Sequence, residues 1–278
     1  MRLKAHHAGN GFPWSAAVIL SVIVAGCLIG NLFAGEDAAR MAFDQINMAP
    51  CGAHWFGTDT LGRDIWSLIW LGGGKSLLIG ALATLITTAI AVIYGTVSGL
   101  AGKAVDGIMM RFTEILLSIP SILFIVFMQA VLGSRNVVGI SVIIGITGWM
   151  SMAKMVRTEV RRIRQEDYLL ISKMMGGGFF HILIKHLAPN FISTIMFMIV
   201  MSVRSAIISE STLSFLGIGL PVDVITWGSM LSLSEKALLS GSWWIILIPG
   251  IFLVVTLLCI TSLGNYMRKD RGRIHGNL

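Results

Sequence analysis

Arg157–Asn190 reads RTEVRRIRQEDYLLISKMMGGGFFHILIKHLAPN, a polar and basic stretch in a chain that is otherwise apolar. It carries six Lys/Arg against three Asp/Glu, then an apolar patch, then Gly176-Gly177-Gly178, then a second apolar patch closing on His186-Leu187-Ala188-Pro189-Asn190. Between Glu166 and Met175 the apolar Leu169, Leu170, Met174 and Met175 recur at helical spacing. Gly176 supplies a natural helix stop. Phe179 to Leu187 makes a second short amphipathic piece, and Pro189 closes it. A helix, a glycine turn and a helix form a compact knob suited to a groove on a partner. The same pattern without a partner is an interfacial hairpin.

On either side the chain is a succession of apolar runs. Hydrophobic residues make up 55% of the 278 and charged residues 13%, the latter about half the share found in soluble domains. Runs of this length exceed a soluble core, so the chain is not two soluble domains. Six spans are predicted: Trp14–Ala34, Leu77–Leu100, Ile115–Leu132, Val137–Ala153, Phe191–Leu216 and Trp243–Met267. Each is near the ~20 residues that cross a hydrocarbon core of ~30 Å. The expected fold class is all-α, a polytopic membrane helical bundle of six transmembrane helices. Residues 1–75 hold an N-terminal tail, the first span and an external loop. Residues 76–267 form the transmembrane core with 157–190 as its loop, and 268–278 form a C-terminal tail.

Lys and Arg set the orientation. With the N-terminus inside, the inner segments hold 15 of the 21 basic residues: Arg2, Lys4, Lys103, Arg111, the seven from Lys154 to Lys185, and Arg268, Lys269, Arg271 and Arg273. The outer segments hold Arg40, Arg63, Lys75, Arg135 and Lys236, while Arg204 lies within a span. Both termini and the 157–190 loop are therefore expected in the cytoplasm. The net charge of +7 follows from this bias and calls for no nucleic acid. Arg2 and Lys4 before an apolar run resemble a secretory signal, but the run of about 21 residues outlasts a signal core of ~7–15. Cys27 and Cys259 sit in spans and Cys51 stands alone outside, so no disulfide framework is implied.

Beyond the spans, the external segment runs His54-Trp55-Phe56-Gly57-Thr58-Asp59-Thr60-Leu61-Gly62-Arg63-Asp64 and then a Trp-rich stretch, Ile65 to Leu71. Gly57 and Gly62 bracket turns in which Thr58, Asp59 and Asp64 cap backbone amides. The Trp-rich stretch suits a helix lying at the interface before the second span. The whole is expected as a rigid elbow, with an external partner contact or a gate as its functional alternative. Gly72-Gly73-Gly74-Lys75-Ser76 ends like a phosphate-binding loop, but Ile69 stands where that motif needs glycine, and no strand precedes it. No nucleophile–base set and no Cys/His metal spacing occurs, so no catalytic, metal or cofactor residue is assigned. The sixteen Met residues lie mostly in spans as packing. Gly26-x-x-x-Gly30 and Gly95-x-x-x-Gly99 permit close helix approach.

The predicted fifth span carries two deep charges, Arg204 and Glu210. Such groups cost a few kcal/mol to insert and face protein or water, leaving a subunit pairing and a translocation-path role both open. Six residues place them about 240° apart, so they are no i,i+4 pair. Ser214 to Pro221 is expected to end this helix at the outer face.

Gly176 stands thirteen residues before Pro189, which matches the coupling-loop spacing of permease subunits in bacterial ABC importers. Three further stretches resemble the dipeptide/oligopeptide/nickel branch: His54 with Gly57-Thr58-Asp59-x-x-Gly62-Arg63-Asp64, Glu210-Ser211-x-Leu213-Ser214-Phe215-Leu216-Gly217-Ile218-Gly219, and Trp227-Gly228-Ser229-Met230-Leu231. His186-Leu187-x-Pro189-Asn190 fits as well, and the resemblance runs from about His54 to Arg268. It implies a type I ABC importer permease fold in a bacterial cell membrane and one half of a pathway for peptides, nickel or a metal chelate. The implied partners are a second homologous permease subunit, two ATP-binding-cassette ATPases holding ATP and Mg, an external substrate-binding protein and the lipid bilayer. Leu170-Ile171-Ser172 replaces the family's Glu-Ala-Ala, which leaves docking to the apolar residues around Leu169 to Met175. Gly264-Asn265 stands where the family shows Gly-Asp. The rival from another class is an ion-coupled secondary transporter, which wants paired intramembrane acids and repeated broken helices.

Overall fold

In a bilayer every backbone N–H and C=O must be satisfied within the protein, and a helix does this within one segment. The computed structural model describes residues 12–33, 40–133, 135–164, 188–221, 223–233, 237 and 241–274. Among them the regular elements are helices: α1 (Trp14–Phe33), α2 (Ile65–Leu100), α3 (Lys103–Leu117), α4 (Ser121–Leu132), α5 (Val137–Arg164), α6 (Ala188–Phe215), α7 (Trp227–Ser232) and α8 (Trp244–Ile274). α2, α5, Ile195–Phe215 of α6 and Trp244–Arg268 of α8 are long and apolar enough to cross a membrane. α3 and α4 qualify only as a bent pair, and Trp14–Gly30 is a shorter apolar helix. Among the described residues four or five such spans thus stand where six are expected; six requires α1 and the bent pair both to cross.

Several expected boundaries differ, and α8 continues past Met267 to Ile274. The Trp-rich stretch is no separate interfacial helix, because α2 runs unbroken from its Asp64 cap to Leu100, past residue 75. Gly72 and Gly73, in its third turn, are packing surface rather than a break. A Cβ on Gly73 would stand 2.5 Å from Cys27 Sγ and 2.6 Å from the Trp227 ring. The expected span Ile115–Leu132 is broken instead, with α3 and α4 meeting at 89°. Pro120 has no N–H to continue the ladder and forces the residue before it out of the helical region. It becomes the cap of α4. α5 extends past Ala153 to Arg164, since Val156, Val160 and Ile163 keep an apolar stripe in the core.

Close approach holds the bundle together. A Cβ on Gly95 would meet Ala153 O at 2.6 Å, and one on Gly99 would meet Val160 at 2.8 Å, so these two positions seat α5 directly on α2. Gly26 and Gly30 seat α1 on Trp70 in the same way, at 2.4 and 2.5 Å. The contacts sort the helix ends into two groups. At one end the Phe12 ring packs on Tyr266 at 5.3 Å, Arg268 lies 5.7 Å over Phe197, and Arg164 Nη1 donates to Leu100 O at 3.1 Å. At the other end lie the elbow, Trp70, Trp227 and Trp244, whose indole donates to Thr58 O at 3.2 Å.

Candidate functional site

The elbow is over-determined by its own hydrogen bonds. Asp59 Oδ1 accepts from the backbone of Leu61 at 2.8 Å and of Arg63 at 2.9 Å, and Oδ2 takes Arg63 Nε at 2.7 Å. Both side chains of this pair are 4% exposed, so neither is free for an outside ligand. Asp64 caps α2 through Ser67 N at 2.9 Å and faces His54 Nδ1 at 3.0 Å, while His54 Nε2 lies 3.2 Å from Gln45 Oε1. Thr58 Oγ1 accepts from Met48 N at 2.8 Å and donates to Gln45 O at 2.5 Å. Gly57 and Gly62 turn the chain at φ +74 and +75, a region L side chains rarely enter. The side chains the elbow turns outward include Phe43 and Trp55.

Glu210 is fully buried. Thr226 Oγ1 donates to its Oε1 at 2.7 Å, Ser214 Oγ donates to the same oxygen at 2.9 Å, and Ser211 Oγ approaches Oε2 at 3.4 Å. Thr226 is also the N-cap of α7, in a reciprocal capping box with Ser229. Trp227 N donates to Ser76 Oγ at 3.1 Å, and its indole donates to Ile69 O at 3.0 Å. A Cβ on Gly228 would strike Ser211 Cα at 2.6 Å. The Glu210–Gly219 and Trp227–Leu231 motifs therefore interlock around one carboxylate. α6 stops as expected: Gly217 takes φ +73 and Gly219 N closes onto Leu213 O at 2.9 Å. Arg204 is half-buried, and no ion pair joins it to a described residue.

Between α2, the α3–α4 break, α5 and α6 lies an open cleft of about 600 Å³. Its wall mixes Ser and Thr hydroxyls (Thr87, Ser121, Thr147, Ser205) with thioethers such as Met155 and Met201 and includes Pro120 at the break. Among the described residues no charged side chain lines it. Hydroxyls and thioethers offer hydrogen bonds and adaptable apolar contact without fixing one charge pattern. The sequence reading missed this cleft; Pro120 inside an apolar run was the one signal that pointed to it. Of the loop residues, Leu169, Leu170, Met174, Met175, Gly176 and His186 lie outside the described residues, and Pro189 stands in the first turn of α6, where proline is tolerated.

A multi-pass helical bundle with an uncharged cleft beside a broken helix has the architecture of a membrane permease. The chain belongs to the family described as binding-protein-dependent transport system inner membrane component, whose model matches residues 91–272. It is 36% identical to the dipeptide transport system permease protein DppC of Bacillus subtilis over 256 residues, 92% of this chain and 80% of that one. It is 33% identical to the oligopeptide transport system permease protein OppC of Bacillus subtilis, over 93% of this chain and 84% of that one. It is 32% identical to OppC of Escherichia coli, over 95% and 91%. Among solved structures, a chain of the MetNI methionine ABC transporter in inward-facing conformations superimposes with a TM-score of 0.60 at 16% identity, covering 74% of this chain and 96% of that one. The fold is thus that of an ABC importer permease, and the chain is a multi-pass protein of the cell membrane.

Proposed function

We propose that this chain forms one half of the pathway through which an ABC importer brings peptides into a bacterial cell. The single observation that carries it is the match to dipeptide and oligopeptide permeases along nearly the whole chain, and the uncharged, thioether-lined cleft supports a cargo of varied side chains. The bundle end holding Phe12, Arg164 and Tyr266 is cytoplasmic, in keeping with the Lys/Arg bias. The knob at 166–187 docks in the ATPases, the second permease subunit closes the cleft, and a substrate-binding protein delivers peptide at the elbow. ATP and Mg belong to the ATPases, and the chain has no catalytic role of its own. Arg204 faces the partner subunit or the path, while Glu210 braces the external end. Uptake of labelled dipeptide by the reconstituted importer, with ATP inside and no ion gradient, tests this; uptake driven by a gradient without ATP contradicts it.

A further inference from the structure

Lys154, Arg157, Arg161 and Arg164 stand on one face of the last turns of α5, at the three- and four-residue spacing that aligns side chains along a helix. Basic residues at a span end ordinarily need only water. Here each is engaged by another helix. Arg157 donates through Nε to Asp106 Oδ1 and through Nη2 to Oδ2 at 2.6 Å. Arg161 Nη2 pairs with the same Oδ2 at 2.7 Å. Ser98 Oγ, from the last turn of α2, donates to Oδ1 at 2.7 Å. Arg164 takes the Leu100 carbonyl at 3.1 Å, in the last turn of α2 where carbonyls lack a helical partner. Lys154 reaches Glu114 at 3.0 Å, an exposed pair worth little.

Asp106 is the centre of this arrangement, 5% exposed, at the start of α3. α3 leads through the Pro120 break into the wall of the cleft, which Leu116, Leu117 and Ser121 also line. Arg164 directly precedes residues 165–187.

Resting on the permease reading above, we propose that Asp106 is a positioning residue for coupled transport. Through Arg157 and Arg161 it fixes the end of α5 to the start of α3, so that displacement of α5 reaches the broken helix beside the cleft. Without Asp106, α5 moves against α3 and ATP is hydrolysed without a matching change at the cleft. The two arginines are partly exposed, 22% and 39%, so each can turn to water once the carboxylate is gone. The bundle is therefore expected to assemble.

The test uses the complete importer with its binding protein in proteoliposomes and reads peptide taken up per ATP hydrolysed. Asp106→Asn is expected to keep ATPase activity within about twofold and to lower that ratio about tenfold, the size of an ordinary coupling energy. Asp106→Glu, which keeps the charge, is expected to retain about half the ratio or more. An unchanged ratio in Asp106→Asn, a parallel fall of ATPase and uptake, or an equal loss in Asp106→Glu overturns the proposal. If Asp106→Asn does not assemble, Arg161→Gln, which leaves Arg157 on both oxygens, decides: about a threefold lower ratio supports it, and an unchanged one overturns it. Failure of the unmutated importer to use ATP would instead count against the permease reading.

Discussion

Replacing Glu210 separates a structural carboxylate from one that works in the pathway. Glu210→Ala removes the acceptor on which Thr226 and Ser214 converge at 2.7 and 2.9 Å. Ser214 can turn its proton back to the carbonyl one helical turn before it. Thr226 cannot, because it caps α7 and is fully buried, so its proton loses its partner at about 1–3 kcal/mol. The void left by the side chain adds about 1 kcal/mol or more. The sum is about 2–4 kcal/mol, enough to lower the thermal stability of the detergent-solubilised complex by several degrees. Glu210→Gln keeps the shape: a carbonyl oxygen at the Oε1 position still accepts both short bonds, and the amide meets the Ser211 hydroxyl, which can accept. Its cost is at most about 1 kcal/mol, and peptide uptake should stay within about twofold of the unmutated importer. Thermal gel-filtration of the assembled complex, read beside uptake, checks both variants. A Glu210→Gln complex that assembles with unchanged stability yet carries no peptide would refute the reasoning, because the negative charge itself would then be required.

At the elbow, Gly62→Ala forces a Cβ to within 1.8 Å of Ala42 O at φ +75, which should cost about 2 kcal/mol or more and expose the elbow to protease. Gly52→Ala, whose Cβ meets nothing within 4 Å, should leave the digestion pattern unchanged; equal sensitivity of the two would contradict the tight-turn account. In the 165–187 segment between α5 and α6, Gly176→Pro or deletion of 168–186 should abolish ATP-coupled uptake while the chain still inserts in the membrane, and normal uptake by either variant would sink the proposed docking role.

Much of this architecture was legible because hydropathy and glycine spacing are local signals. Gly57, Gly62 and Asp59 announced a capped turn, and the turn is there with Asp59 accepting two backbone amides. The GxxxG pairs announced close packing and supply it at Trp70 and along α5. What was not legible depends on partners distant in sequence. Gly72 and Gly73 show their packing role only once Ile225 and Thr226 are seen beside the one and Cys27 and Trp227 beside the other. Glu210 stood out as a charge in a span, but Thr226 lies sixteen residues on and reaches it only after the chain has turned back. Asp106 and Arg157 are fifty-one residues apart, so no local pattern joins them. The α3–α4 bend was signalled by Pro120, and the apolar character of the surrounding run concealed it.

A peptide path opened by the ATP hydrolysis of partner subunits is the role proposed for this chain. Its most direct test is uptake of a labelled dipeptide into proteoliposomes holding the full importer, with ATP enclosed and every ion gradient collapsed. Uptake is expected to stop when the ATPases are inactivated and to persist without any gradient. Uptake that continues with inactive ATPases and follows an imposed proton or sodium gradient would contradict it.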